Sequence, residues 1–171
     1  KIEIAPQGST SQEIEQKVHV IEQVSKKDLF MKKSDHLLLT INGDPKLKNS
    51  IIFCNRKKDV ENLANFLSSR GLENAALHGN LTQVLRNKVL DNFSTGKTKH
   101  LIASDVASRG LDIPEVSHVF NFDVPLNLED YVHRIGRTGR AGKRGKAITI
   151  CFDREKPVIE KIEKLIKKKL D

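Results

Sequence analysis

Residues 133 to 140 read His133-Arg134-Ile135-Gly136-Arg137-Thr138-Gly139-Arg140, three arginines and a histidine in eight positions. A guanidinium keeps its charge at physiological pH and presents a planar fork of N–H donors, which suits bidentate contact with phosphate oxygens. The intervening glycines let the backbone turn, so Arg137 and Arg140 are expected to reach one point. An arginine-rich loop can also be merely solvated. An apolar helix is expected before this one and a strand after it, which speaks against a loose tail.

Two other segments imitate phosphate sites and fail on context. Gly96-Lys97-Thr98 looks like the end of a phosphate-binding loop, but the position five residues before the Gly-Lys pair is Asp91, where such a loop has glycine. It also follows a helical pattern and precedes an apolar strand, the reverse of what that loop requires, so it reads as a helix stop and connector. Gly136, Gly139, Gly142 and Gly145 fall every third residue, too briefly for a collagen repeat. No metal-ligand spacing is present. The chain therefore holds cations for phosphate but no nucleotide–metal cradle of its own.

The elements that must position these residues follow from hydrophobic periodicity. Apolar strands are predicted at 18–21, 50–54, 75–77, 100–103, 116–121 and 146–152. Helices are predicted at 26–41, 56–70, from a Thr82 cap to 93, from Asn127 or Leu128 to 135, and over 157–170. The inward residues of the third helix are expected to be Leu85, Val89 and Phe93. Those of the last are expected to be Val158, Ile162, Leu165 and Ile166, with Glu160–Lys164 and Glu163–Lys167 as favourable i, i+4 pairs. Alternating strands and helices imply an α/β fold with a mainly parallel sheet covered on both faces. Ligands of such sheets bind beyond the carboxyl ends of the strands. The residues there, Asn55-Arg56, His78-Gly79-Asn80, Ser104-Asp105 and 121–123, are nearly all polar or glycine.

Composition bounds the rest. At 171 residues, 37% hydrophobic and 30% charged, the chain suits one domain with a sizeable core. Its longest apolar run is too short to span a membrane, and the amino terminus lacks the apolar core of a secretory signal. Residues 1–15 are polar and are expected to form a linker or amino-terminal arm. Cys54 and Cys151 each sit in an apolar run and are expected to be buried free thiols of a reducing compartment. The net charge of +8 points to a polyanionic partner. The Lys-rich stretch 161–169 can equally be the solvated face of a helix. One Tyr and no Trp argue against recognition by base stacking.

Taken in order, several segments resemble a known family. His133 to Arg140 resembles motif VI of superfamily 2 helicases, in the form characteristic of DEAD-box RNA helicases. Residues 103–114, Ala-Ser-Asp-Val-Ala-Ser-Arg-Gly-Leu-Asp-Ile-Pro, resemble motif V; residues 50–56 resemble motif IV; and Thr82-Gln83-Val84-Leu85-Arg86 resembles the Gln-x-x-Arg motif, with His78-Gly79 just upstream. The likeness runs from about residue 14 to residue 165. It implies a three-layer α/β/α RecA-like domain over residues 16–171, the carboxyl-terminal half of a two-domain ATP-dependent RNA helicase of the cytoplasm. Arg137 and Arg140 match arginine fingers that reach the γ-phosphate of ATP, bound with Mg²⁺ mainly by the amino-terminal RecA-like domain. Asp112 matches the ribose-binding carboxylate, and Gly110 a point of close backbone approach to the nucleotide. Gly79, Gln83, Arg86, Ser104 and Arg109 match residues that hold the RNA backbone. His133 matches an interdomain contact. Ser104 stands where motif V more often has Thr, which retains the hydroxyl. Two other readings are a non-catalytic RNA-binding module and part of a DNA-directed superfamily 2 translocase.

Overall fold

The structure is a computed structural model and describes residues 13–140 and 142–170. Six parallel strands form one sheet: β1 (Ile14–Ile21), β2 (Ser50–Cys54), β3 (Ala75–Leu77), β4 (His100–Ser104), β5 (His118–Asn121) and β6 (Gly145–Phe152), in the spatial order β1-β6-β5-β2-β4-β3. Six helices connect and cover them: α1 (Leu29–Asn42), α2 (Lys57–Ser69), α3 (Gln83–Ser94), the single turn α4 (Asp105–Ser108), α5 (Leu128–Ile135) and α6 (Lys156–Ile166).

The strands of the sheet centre are apolar on both sides because helices lie on both. Every residue of β2, β4 and β5 is buried. On one face Ile52, Cys54, Ile102, Phe120 and Ile150 meet Leu37 and Ile41 of α1 and Val60, Leu63 and Leu67 of α2. On the other, Ile51, Phe53, Leu101, Val119 and Cys151 meet Phe93 of α3, Tyr131 and Ile135 of α5, and Ile159 and Ile162 of α6. This is the three-layer α/β/α arrangement.

The structure departs from sequence expectation at three places. β1 begins at Ile14, inside the stretch expected to be an arm, and runs in register with β6 from Ile14 opposite Gly145 to Ile21 opposite Phe152. Its polar residues Glu15, Lys17 and His19 hid its start, which an edge strand with one half-exposed side tolerates. Residues 1–12 of the expected arm lie outside the described residues. α6 is rotated: Ile159 and Ile162 are buried, whereas Val158 and Leu165 are 41% and 53% exposed. It stops at Ile166, Lys167 adopts φ 56°, and the Glu163 carboxylate accepts the amide of Leu170 at 2.7 Å, seating Leu170 in the core. Leu85 on α3 is likewise 49% exposed rather than inward. Gly96-Lys97-Thr98 is a helix stop: α3 precedes it, β4 follows, and Gly96 takes φ +85°. Cys54 and Cys151 are buried free thiols.

Candidate nucleotide and RNA interface

The crossover from β4 to β5 is where the candidate residues meet. Ser104 closes β4, and its Oγ accepts the Ala107 amide at 3.3 Å, capping α4. A one-turn helix leaves its last carbonyls without intrahelical partners, and cations suit that negative end. Two arginines take the position. Arg86, from α3, donates Nη1 to the Ala107 carbonyl at 3.5 Å. Arg137, from the loop after α5, donates Nη2 to the Ser108 carbonyl and Nη1 to the Leu111 carbonyl, each at 3.3 Å. Between those carbonyls lies Gly110 with φ +76°, a conformation that an L side chain disfavours. Arg109 is exposed and stands 3.9 Å from Asp130, at the first turn of α5. Asp112 is exposed just beyond.

Arg137 is half-buried. Burial holds its guanidinium below the ordinary arginine pKa, the neighbouring Arg140 pushes the same way, and Asp112 opposes both. Those mutual effects place Arg137, Arg140 and Asp112 in one electrostatic neighbourhood. Arg140 is exposed; its backbone amide donates to the Glu115 carboxylate and its Nε to the Gly136 carbonyl at 2.8 Å. Among the described residues no carboxylate lies within ion-pair distance of the Arg137 or Arg140 side chain. Gly139 carries the turn between them with φ +74°, and a Cβ there would stand 2.5 Å from Ile14 Cγ1.

Six candidates therefore share one neighbourhood: Arg86, Ser104, Arg109, Gly110, Asp112 and Arg137, with Arg140 adjoining. Gly79 lies on the β3–α3 connection and Gln83 opens α3, both exposed, with Gln83 Nε2 donating to Asn87 at 2.9 Å. Arg86 links that connection to the crossover. His133 is exposed on α5, and among the described residues it makes no hydrogen bond to the cluster. Ser104 is only 9% exposed, and its hydroxyl is engaged as the cap.

The strand ends hold something different from what the general rule suggested. Arg134 is 1% exposed. Its fork grips the Asp105 carboxylate at 2.9 and 2.8 Å, and Nη1 donates to the Asp123 carbonyl at 2.9 Å and to Asn121 at 3.3 Å. Nη2 also donates to Asn55, and the guanidinium lies over the Phe53 ring. Asp123 in turn is bonded by Lys33 Nζ and by the Asn55 amide. Polar groups that follow β2, β4 and β5 thus satisfy one another, and Arg134 ties three strands to α5. Arg137 lies instead along the crossover toward the entry of β5: its carbonyl accepts the Val116 amide at 3.0 Å, and Thr138 bridges to Val116. Nothing in the spacing of the three arginines announced this division of labour.

A family model described as helicase conserved C-terminal domain matches residues 31–142. The fold covers 92% of this chain and 88% of the E. coli DEAD-box protein SrmB, solved bound to regulator of ribonuclease activity A, at TM-score 0.81 and 35% identity. This chain is a DEAD-box helicase C-terminal domain. The solved C-terminal domain of the DEAD-box protein Dbp5 is similar over 91% of this chain and 87% of that one, with TM-score 0.76 and 34% identity. The DEAD-box ATP-dependent RNA helicase RhpA of Helicobacter pylori is 41% identical across all 171 residues. The chain spans a third or less of the length of these curated DEAD-box relatives. No helix among its described residues is long and apolar enough to cross a membrane.

Proposed function

We propose that this domain is the arginine-finger and RNA-gripping half of an ATP-dependent RNA helicase of the cytoplasm. The observation that carries the reading is Arg137: it is fixed by two main-chain carbonyls, beside Arg140 and Asp112, with its charge uncompensated by any carboxylate in ion-pair contact. A preoriented cation of this kind is suited to the charge that develops on a transferring phosphoryl group. ATP and Mg²⁺ would be held mainly by an amino-terminal RecA-like domain, the Mg²⁺ neutralising the phosphates. Arg137 and Arg140 would meet the γ-phosphate when the two domains close, and Asp112 would accept the ribose hydroxyls. Gly110 keeps side-chain bulk off the approach.

RNA would lie against the β3–α3 connection and the crossover. Gln83, Arg86, Arg109 and the open backbone at Gly79 supply donors for phosphate and sugar, contacts that position a strand without reading its sequence. Ser104 would act mainly by holding α4 in place, since its hydroxyl already accepts the Ala107 amide. Exposed on α5, His133 would touch the partner domain. Because Arg86 holds the Ala107 carbonyl and Arg137 the Ser108 and Leu111 carbonyls of the same segment, a shift of that segment on RNA binding would be felt by the finger. In the two-domain protein, Arg137→Ala should abolish RNA-stimulated ATP hydrolysis while leaving ATP binding in place; unchanged turnover would sink the proposal. Equal stimulation by DNA and RNA oligonucleotides would move it to a DNA-directed translocase.

A further inference from the structure

The parallel sheet has a second edge, at the amino ends of its strands, and that edge is cationic. A groove of about 680 Å³ runs across it. Its walls come from the residues that enter the strands: Lys48 and Asn49 before β2, Lys99 before β4, Ser117 before β5, and Lys143 and Arg144 before β6. A neighbouring hollow shares Lys46, Ser117 and Arg144 with it. The four rungs of β4 separate this edge from Ser104 by about 13 Å, at ~3.3 Å per residue.

Every carboxylate lining the two hollows is occupied. Glu115 accepts the Arg140 amide, Asp44 is shared by His118 and Lys146, and Glu15 pairs with Lys17. The side chains of Lys46, Lys48, Lys99, Lys143 and Arg144 are all exposed and make no ion pair among the described residues. The floor beneath them is tied. Ser117 Oγ accepts the Lys48 amide at 2.9 Å and donates to the Asn49 carbonyl at 2.9 Å, the Ser117 amide donates to Asn49 Oδ1 at 2.9 Å, and the Ser50 amide donates to the Lys99 carbonyl at 2.8 Å. Five cations are thus spread over backbone held by cross-strand bonds.

We propose that this groove is a second, sequence-independent binding site for the phosphodiester backbone of RNA. The groove offers no exposed apolar or aromatic anchor of the kind a protein partner uses, since Phe93 and Val116 in its wall are buried. It offers lysines, one arginine and small polar groups, which fit a chain of phosphates and leave the bases unread. The inference rests on RNA being the ligand of the domain. It adds that a strand held at the crossover can continue onto the opposite edge.

The test uses the 171-residue chain and a fluorescein-labelled oligouridylate, with anisotropy read across a salt series. The triple variant Lys48→Ala, Lys99→Ala, Arg144→Ala should weaken binding about tenfold at low salt and flatten the plot of log K against log salt by about 2, at ~0.7 per lost phosphate contact on a single strand. The double variant Gln83→Ala, Arg86→Ala should weaken binding without removing that increment of slope. Circular dichroism of each variant checks the fold. Unchanged affinity and slope in the folded triple variant overturn the groove, and if the double variant still loses binding the crossover reading survives. Loss only in the triple variant keeps the groove and sinks the crossover as the RNA site. A poly-glutamate peptide that displaces the RNA at equal charge concentration would assign the groove to an acidic protein segment and overturn the proposal.

Discussion

Replacing Arg134 by Ala should unfold the domain more readily than any other single arginine loss. The guanidinium is 1% exposed and supplies both halves of a bidentate pair to Asp105. Its removal strands Asn121, Asn55 and the Asp123 carbonyl without a donor. Breaking a buried ion pair from one side costs about 3–5 kcal/mol, because the remaining charge is left desolvated. The Asp105 side chain is 21% exposed, so water relieves part of that cost and about 3 kcal/mol is the appropriate figure. With a urea m-value of about 2 kcal/mol/M for a domain of this size, the midpoint should fall by about 1.5 M. Arg134→Lys should lose nearly as much, since an ammonium cannot span Asp105, Asn121 and Asp123 together. In a cycle with Asp105→Asn, the double variant should be less destabilised than the sum of the singles. A midpoint shift below about 0.5 M for both Arg134 variants would show that water already shares this network, and the structural role given to Arg134 would be wrong.

Gly139→Ala should cost at least about 2 kcal/mol, combining a left-handed backbone with overlap on Ile14, and lower the melting temperature by about 5 °C; a variant melting with the parent would refute the close approach. His100 is buried beside Ser50, and burial, with a smaller push from Lys99, lowers its pKa to about 4. The unfolded chain therefore binds the proton more tightly, so this stabilisation is complete above about pH 6.5 and is lost as pH falls toward 4, up to about 3 kcal/mol. Urea midpoints at about pH 7 and about pH 4.5 should differ more in the parent than in His100→Gln, and parallel behaviour would refute it. Burial raises the Cys54 thiol well above its ordinary value and Cys151 to about 11. A thiol-specific reagent at about pH 8 should leave both unreacted in the folded chain and titrate both in urea; rapid labelling of either in buffer would contradict their burial.

Much of this domain was readable in one dimension. Runs such as Ile51-Ile52-Phe53-Cys54 must be apolar on successive residues if helices cover both faces, so strand–helix alternation, the parallel sheet and the buried thiols followed from composition and period. The ordered motifs were legible for the same reason: side-chain chemistry at a given spacing is carried by the chain itself. The depth of a side chain is not. Arg134, Arg137 and Arg140 are the same residue three apart, yet one is sealed at the strand ends by Asn55, 79 positions away, one leans on carbonyls of the crossover, and one is exposed. Val158 and Ile159 are near equals in apolarity, and only the position of the sheet beneath α6 turned Ile159 inward. Local sequence sets which conformations and charges are available; burial and pairing depend on residues brought close by the fold, and those alone distinguished the arginine sealed in the network at the strand ends from the two left without an ion pair among the described residues.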